Sequence, residues 1–118
     1  MHEPAAHRPD TPVHVAQMAR ALLDSSADDG VRRQTLELIL EVARSPSMAG
    51  CYPAIEAHYV CAKAYNMAVC HMKSNNRLVA QSGMSLAAEL AGATQCKIVT
   101  PEKCRTAAQA FLAGLAEL

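Results

Sequence analysis

The residues that could do chemistry are few and scattered along the chain. Five cysteines stand at positions 51, 61, 70, 96 and 104, and no two of them form a C-x-x-C pair. An odd number of thiols without paired spacing is neither a disulfide framework nor a zinc site. In a reducing compartment such cysteines act as small hydrophobes. Cys96 and Cys104 flank a turn and could come within bridging distance, and Cys70 falls on a polar stripe where a thiol could be exposed. Met67, Cys70, His71 and Met72 together suggest a soft-metal set. Adjacent positions on a helix point about 100° apart, however, so Cys70 and His71 do not converge easily on one ion. His58 and His71 are the candidate bases. There is no H-E-x-x-H pair, no phosphate-cradling glycine loop and no nucleophile motif to employ them. The expectation is a protein that is not an enzyme and carries no metal or cofactor.

Both histidines and two of the thiols belong to one stretch, Pro53 to Ser74, and the chain is organised around it. It has no internal Gly or Pro and would run roughly 33 Å as one helix. Glu56, Lys63, Asn66 and Ser74 gather on one side, with Tyr59 and Cys70 inside that polar stripe. Ala54, Ala57, Cys61, Ala64, Tyr65, Ala68 and Met72 make the opposite face, whose mostly small side chains let neighbouring helices approach closely.

The flanking segments supply the partners. Residues 1–10 carry two prolines, two histidines and almost no large apolar side chain, and read as a flexible arm. Residues 11–118 read as a single helical domain. Thr11-Pro12 is a helix start, and Val15, Met18, Ala19, Leu22 and Leu23 form one apolar face behind it. The run SSADDG stops this helix, with Asp28 or Asp29 at the next N-terminus. In the second helix, about 30–44, Arg33, Gln34, Glu37, Glu41 and Arg44 fill only about 100° of the wheel. Val31, Leu36, Leu38, Ile39, Leu40, Val42 and Ala43 occupy most of the rest, more than one neighbour can cover. Asn75-Asn76 should turn the chain into a fourth helix ending at Gly92, with a stripe of Val79, Gly83, Leu86 and Leu90. An ordered loop follows. Thr100-Pro101 opens the last helix, with Cys104, Ala107, Ala108, Phe111, Leu115 and Leu118 on one face.

Composition agrees with this layout. Half the residues are hydrophobic (51%) but only 3% are aromatic, and alanine supplies about one residue in five, the profile of an all-α chain. The fold expected is a compact bundle of about five helices around a long central third helix. Lys+Arg and Asp+Glu balance at 11 each, so no net field draws the chain to nucleic acid or an anionic membrane. The long stretch would place Glu56, His58, Lys63, Asn66 and His71 inside a bilayer, so a membrane span is not expected. The N-terminus lacks the apolar run of a secretory signal, and a cytoplasmic location is expected.

The segments VRRQTLELILEVARSP and CYPAIEAHYVCAKAYNMAVCHMKSNNRLVA, with their flanking helices, resemble a family of small all-helical bacterial antiactivators of LuxR-type quorum-sensing transcription factors. The resemblance implies a homodimer that binds the ligand-binding domain of a LuxR-type regulator. It would cover the surface the regulator needs for its own dimerisation, and so prevent DNA binding. Composition alone also permits a small helical secretion chaperone or adaptor.

The resemblance carries over no site residue by motif, so the protein-binding residues come from wheel positions. They are Val13, His14, Met18, Met48, Tyr52, Ile55, Tyr59 and Lys63, a patch joining the first helix to the entrance of the third, although Met48, Tyr52 and Ile55 also read as a hydrophobic staple closing that corner. Val13 points off the core face of its helix, His14 and Met18 lie at its edge, and Tyr59 puts an aromatic ring where water is expected.

Overall fold

The computed structural model describes residues 11–116, with side chains through residue 114, as five helices without a strand among them. They are α1 (Thr11–Asp24), α2 (Asp29–Arg44), α3 (Ala54–Lys73), α4 (Arg77–Thr94) and α5 (Pro101–Ala116). The arm expected for residues 1–10, Leu118 and the side chain of Leu115 lie outside the described residues.

Local chemistry sets most helix ends where the sequence put them. The Asp28 side chain accepts the Val31 N–H at 3.0 Å and caps α2, and Ser45 closes it by donating its hydroxyl to the Val42 carbonyl at 2.7 Å. Asn75 takes the left-handed conformation (φ 59°) between α3 and α4, as an Asn turn should. The end of α4 differs from expectation. The helix continues through Gly92 to Thr94, because Gln95 takes the left-handed position that glycine usually fills (φ 57°). Cys96 N–H then reaches the Ala91 carbonyl at 3.0 Å and Gln95 N–H the Gly92 carbonyl at 3.3 Å, which closes the last turn.

α3 and α4 form the central antiparallel pair. Their contact is built from Ala57, Val60, Cys61, Ala64 and Ala68 on one helix and Ala80, Met84, Ala87, Leu90 and Ala91 on the other. Small residues let the two backbones approach. A Cβ added at Gly83 would stand 3.3 Å from the Ala68 Cβ. α3 also meets α1 and α2, while α4 shares the central position by meeting α2 and α5. The apolar stripe of α4 is therefore wider than the sequence suggested, and Val79 lies at its exposed rim.

Larger side chains fill the remaining space. Leu23 of α1, Leu36, Ile39 and Leu40 of α2, and Met48 and Tyr52 of the connection before α3 are all buried. Each such side chain contributes roughly 1.5–3 kcal/mol on leaving water. Val31 and Leu38 of α2 stay exposed, so the monomer does not cover the whole apolar arc of that helix. Among the described residues no helix is long and apolar enough to cross a membrane.

The five cysteines are free thiols of two kinds. Cys51 and Cys70 are exposed, while Cys61, Cys96 and Cys104 are buried between α3, the 95–100 loop and α5. Burial pushes the Cys61 thiol up to about 12, against the lowering effect of its 3.4 Å contact with the Thr94 hydroxyl, and it raises the Cys104 thiol as well. Thiolates are the reactive form, so the buried three are protected twice. A thiol reagent such as DTNB should modify two cysteines in the native protein and all five after denaturation. Native modification of Cys61 at a rate like that of Cys70 would contradict this packing. In the same core Ala68→Leu should destabilise by about 1–3 kcal/mol in urea unfolding, because the added atoms meet Gly83 and the α4 backbone. An unchanged midpoint would mean the helices stand further apart.

Candidate protein-binding face

α1 crosses α3 with contacts that advance together along both chains. Arg20 reaches Glu56 and Tyr59, and one turn further Asp24 reaches Tyr59 and Lys63. The i,i+4 pair on α1 therefore meets the i,i+4 pair Tyr59 and Lys63 on α3. The Tyr59 hydroxyl lies 2.6 and 2.7 Å from the two carboxylate oxygens of Asp24, to which it donates. The Arg20 guanidinium lies over the Tyr59 ring, 3.9 Å from its centroid, and one of its nitrogens is 3.3 Å from Glu56 Oε2. Lys63 Nζ stands 3.8 Å from Asp24 and 5.5 Å from the centroid of the same ring. Two cations thus lie near one aromatic ring, and its hydroxyl is fixed by a carboxylate.

Glu56 carries an unusual burden in this node. Only 7% of it is exposed, and its Oε1 has no hydrogen-bond partner. A glutamate in the first turn would normally reach back to the N–H of the N-cap residue. Here the N-cap is Pro53, which has no N–H, so that bond cannot form and Arg20 is the compensating group.

The face beside this node is a shallow recess of about 320 Å³, lined by Arg20, Ile55, His58, Tyr59, Ala62, Lys63 and Asn66. Ile55 is 77% exposed at its edge, a large apolar side chain beside an ordered tyrosine and an ordered arginine. Such a grouping is typical of the centre of a protein interface.

The residues named from the sequence do not all share this face. Ile55, Tyr59 and Lys63 line the recess. Val13, exposed, lies about 20° from Arg20 around α1 and so borders the same flank. Met18 is 72% exposed but about 160° from Arg20, on the far side of α1, and His14, also exposed, lies on that outer side. Met48 and Tyr52 are core, at 2% and 8% exposure, where they close the corner between α2 and α3, so neither offers surface to a partner. Tyr59 is also not an idle ring on the surface: its position follows from its bonds to α1. Sequence reading missed Arg20, Asp24, Glu56, His58, Ala62 and Asn66. The matched i,i+4 pairs of α1 and α3 were a usable signal for the first two.

Buried Tyr52 makes a separate statement about pH. Its hydroxyl has no partner, and its pKa is pushed up to about 12, first by burial and then by the nearby Glu56 carboxylate and the Cys61 thiol. Because the unfolded tyrosine ionises near 10, the neutral form favours the fold below that pH. The contribution is lost as the pH rises from 10 toward 12. Tyr52→Phe should therefore flatten the alkaline loss of stability in this range, read as unfolding midpoint against pH. An alkaline limb identical to the parent's would contradict that role.

Among the described residues no group of three or more His, Cys, Asp or Glu side chains is placed to hold a metal ion. Comparison with protein-family models, with curated proteins and with solved structures returns no match. The site therefore stands on geometry alone. Its node predicts that Tyr59→Phe, which leaves Asp24 without its hydroxyl donor, costs about 0.5–1.5 kcal/mol of stability in chemical denaturation. Tyr59→Ala should cost more by also removing the ring beneath Arg20. Two variants as stable as the parent would show the node to be ornamental.

Proposed function

We propose that this chain is an antiactivator of the QslA type. In this reading it binds the ligand-binding domain of a LuxR-type quorum-sensing regulator and covers the surface used for the regulator's dimerisation. The regulator then cannot grip its DNA site as a pair. The partner's identity rests on the resemblance of residues 31–46 and 51–80 to that family. The binding surface rests on one observation, the exposed Ile55 beside the Arg20–Tyr59–Lys63 node. An apolar anchor next to side chains already held in place loses little conformational freedom on docking, which favours tight association.

The same reading has the protein acting in the cytoplasm as a homodimer. Val31 and Leu38 on α2 and Leu78 on α4 are exposed apolar side chains away from the α1–α3 face, so a seam there would leave the partner surface open. The chemistry is exclusion, with no catalysis and no cofactor.

The direct test is calorimetric titration of the purified regulator's ligand-binding domain with the parent protein and with Ile55→Asp. Ile55 lies outside the core, so the variant should melt like the parent while its affinity falls at least about tenfold. Parental affinity in Ile55→Asp would remove the surface. Failure of the parent to bind any folded regulator domain, with binding of an extended segment of a secreted protein instead, would replace the antiactivator by a secretion chaperone.

A further inference from the structure

A second cavity lies away from the α1–α3 face, between the start of α2, the second half of α3 and the first half of α4. It encloses about 280 Å³. Its floor and walls are Leu36, Ala64, Met67, Ala68, Val79 and Leu86, all apolar. Depth comes from small residues, above all Gly83, where an added Cβ would stand 3.3 Å from the Ala68 Cβ. An engineered apolar cavity of about 150 Å³ already holds benzene. This one has room for a substituted ring or a medium-length alkyl chain.

Polar groups converge at one lip only, the pattern of a small-molecule site. They are Asp29, Gly30, Arg33 and His71. Each local carboxylate has a cation or a backbone donor beside it. Asp29 Oδ1 is 3.7 Å from Arg32 and its Oδ2 3.5 Å from His71 Nε2, and Asp28 turns its oxygen to the Val31 N–H. Glu37 takes the Nε of Arg33 at 3.2 Å, which leaves both Nη groups of Arg33 without a partner among the described residues. The hydrogen-bond donors left open on Arg33 form a cationic fork, suited to a carboxylate.

We infer that the α2–α3–α4 cavity binds an amphiphilic monocarboxylate, with its apolar tail on Leu36, Met67 and Leu86 and its carboxylate on the Arg33 guanidinium. This inference is independent of the antiactivator reading, since none of these groups lies on the α1–α3 face.

Titration of the ¹⁵N-labelled full chain with octanoate, and separately with 1-octanol, both below their aggregation limits, tests it. Octanoate should give saturable shifts centred on Gly30, Arg33, Ala68, His71 and Gly83, and bind about tenfold tighter than octanol. Arg33→Gln should remove that preference while leaving octanol binding unchanged. Val79→Phe, which fills the cavity from its exposed rim, should weaken both ligands. Absence of saturable shifts at these residues overturns the proposal. So does equal affinity for acid and alcohol, or an octanoate affinity that Arg33→Gln does not alter.

Discussion

The close approach of α3 to α4 is the constraint on which the rest of the structure depends. It requires small side chains along both faces, and the alanines, Cys61 and Gly83 satisfy it. The consequence is that α3 brings little bulk of its own. Leucines, isoleucine and methionine arriving from α1, α2 and the connection before α3 join Met84, Leu86 and Leu90 of α4 in supplying the large apolar volume. The same choice leaves a hollow where the start of α2 meets the pair, and that hollow is the cavity beside Gly83. Tight packing at one end of the helix pair and an open cleft along its flank have a single origin.

A second dependence runs through polar groups. Starting α3 at Pro53 fixes the corner without a side-chain cap and leaves Glu56 buried with one oxygen unpartnered. Burying a carboxylate without pairing is costly, so the position of Arg20, and with it the register of α1, is set by that charge. Tyr59 and Asp24 extend the same register by one turn. The exposed Ile55 then sits next to a group of side chains held by their mutual contacts, which singles this face out among several exposed apolar positions as the candidate site.

The helices themselves were legible in the sequence. Thr11-Pro12, Asp28, Asn75 and Thr100-Pro101 are local signals, and each acts within a few residues of where it stands. The exception at Gly92 has the same physics in reverse: glycine was read as a stop, yet a left-handed Gln95 three residues later closes the helix. The candidate face was legible only in part, because it depends on which helices meet. The wheel puts Val13 off the apolar face of α1 and Met18 at its edge, about 140° apart, but does not show which flank meets α3. Met48 and Tyr52 read equally as a staple or as contact surface, because a residue in a connection has no periodicity to reveal its burial. The cavity beside Gly83 had no signature at all, since it arises from three helices at once.

Native-state hydrogen exchange tests the central role of the α3–α4 contact most directly. If that contact organises the fold, the slowest amides will lie in residues 60–68 of α3 and 84–91 of α4, and they will exchange only through global unfolding. α1 and the exposed end of α5 will open at lower free energy. Slowest exchange in α1 or α5, with α3 and α4 opening first, would contradict the account.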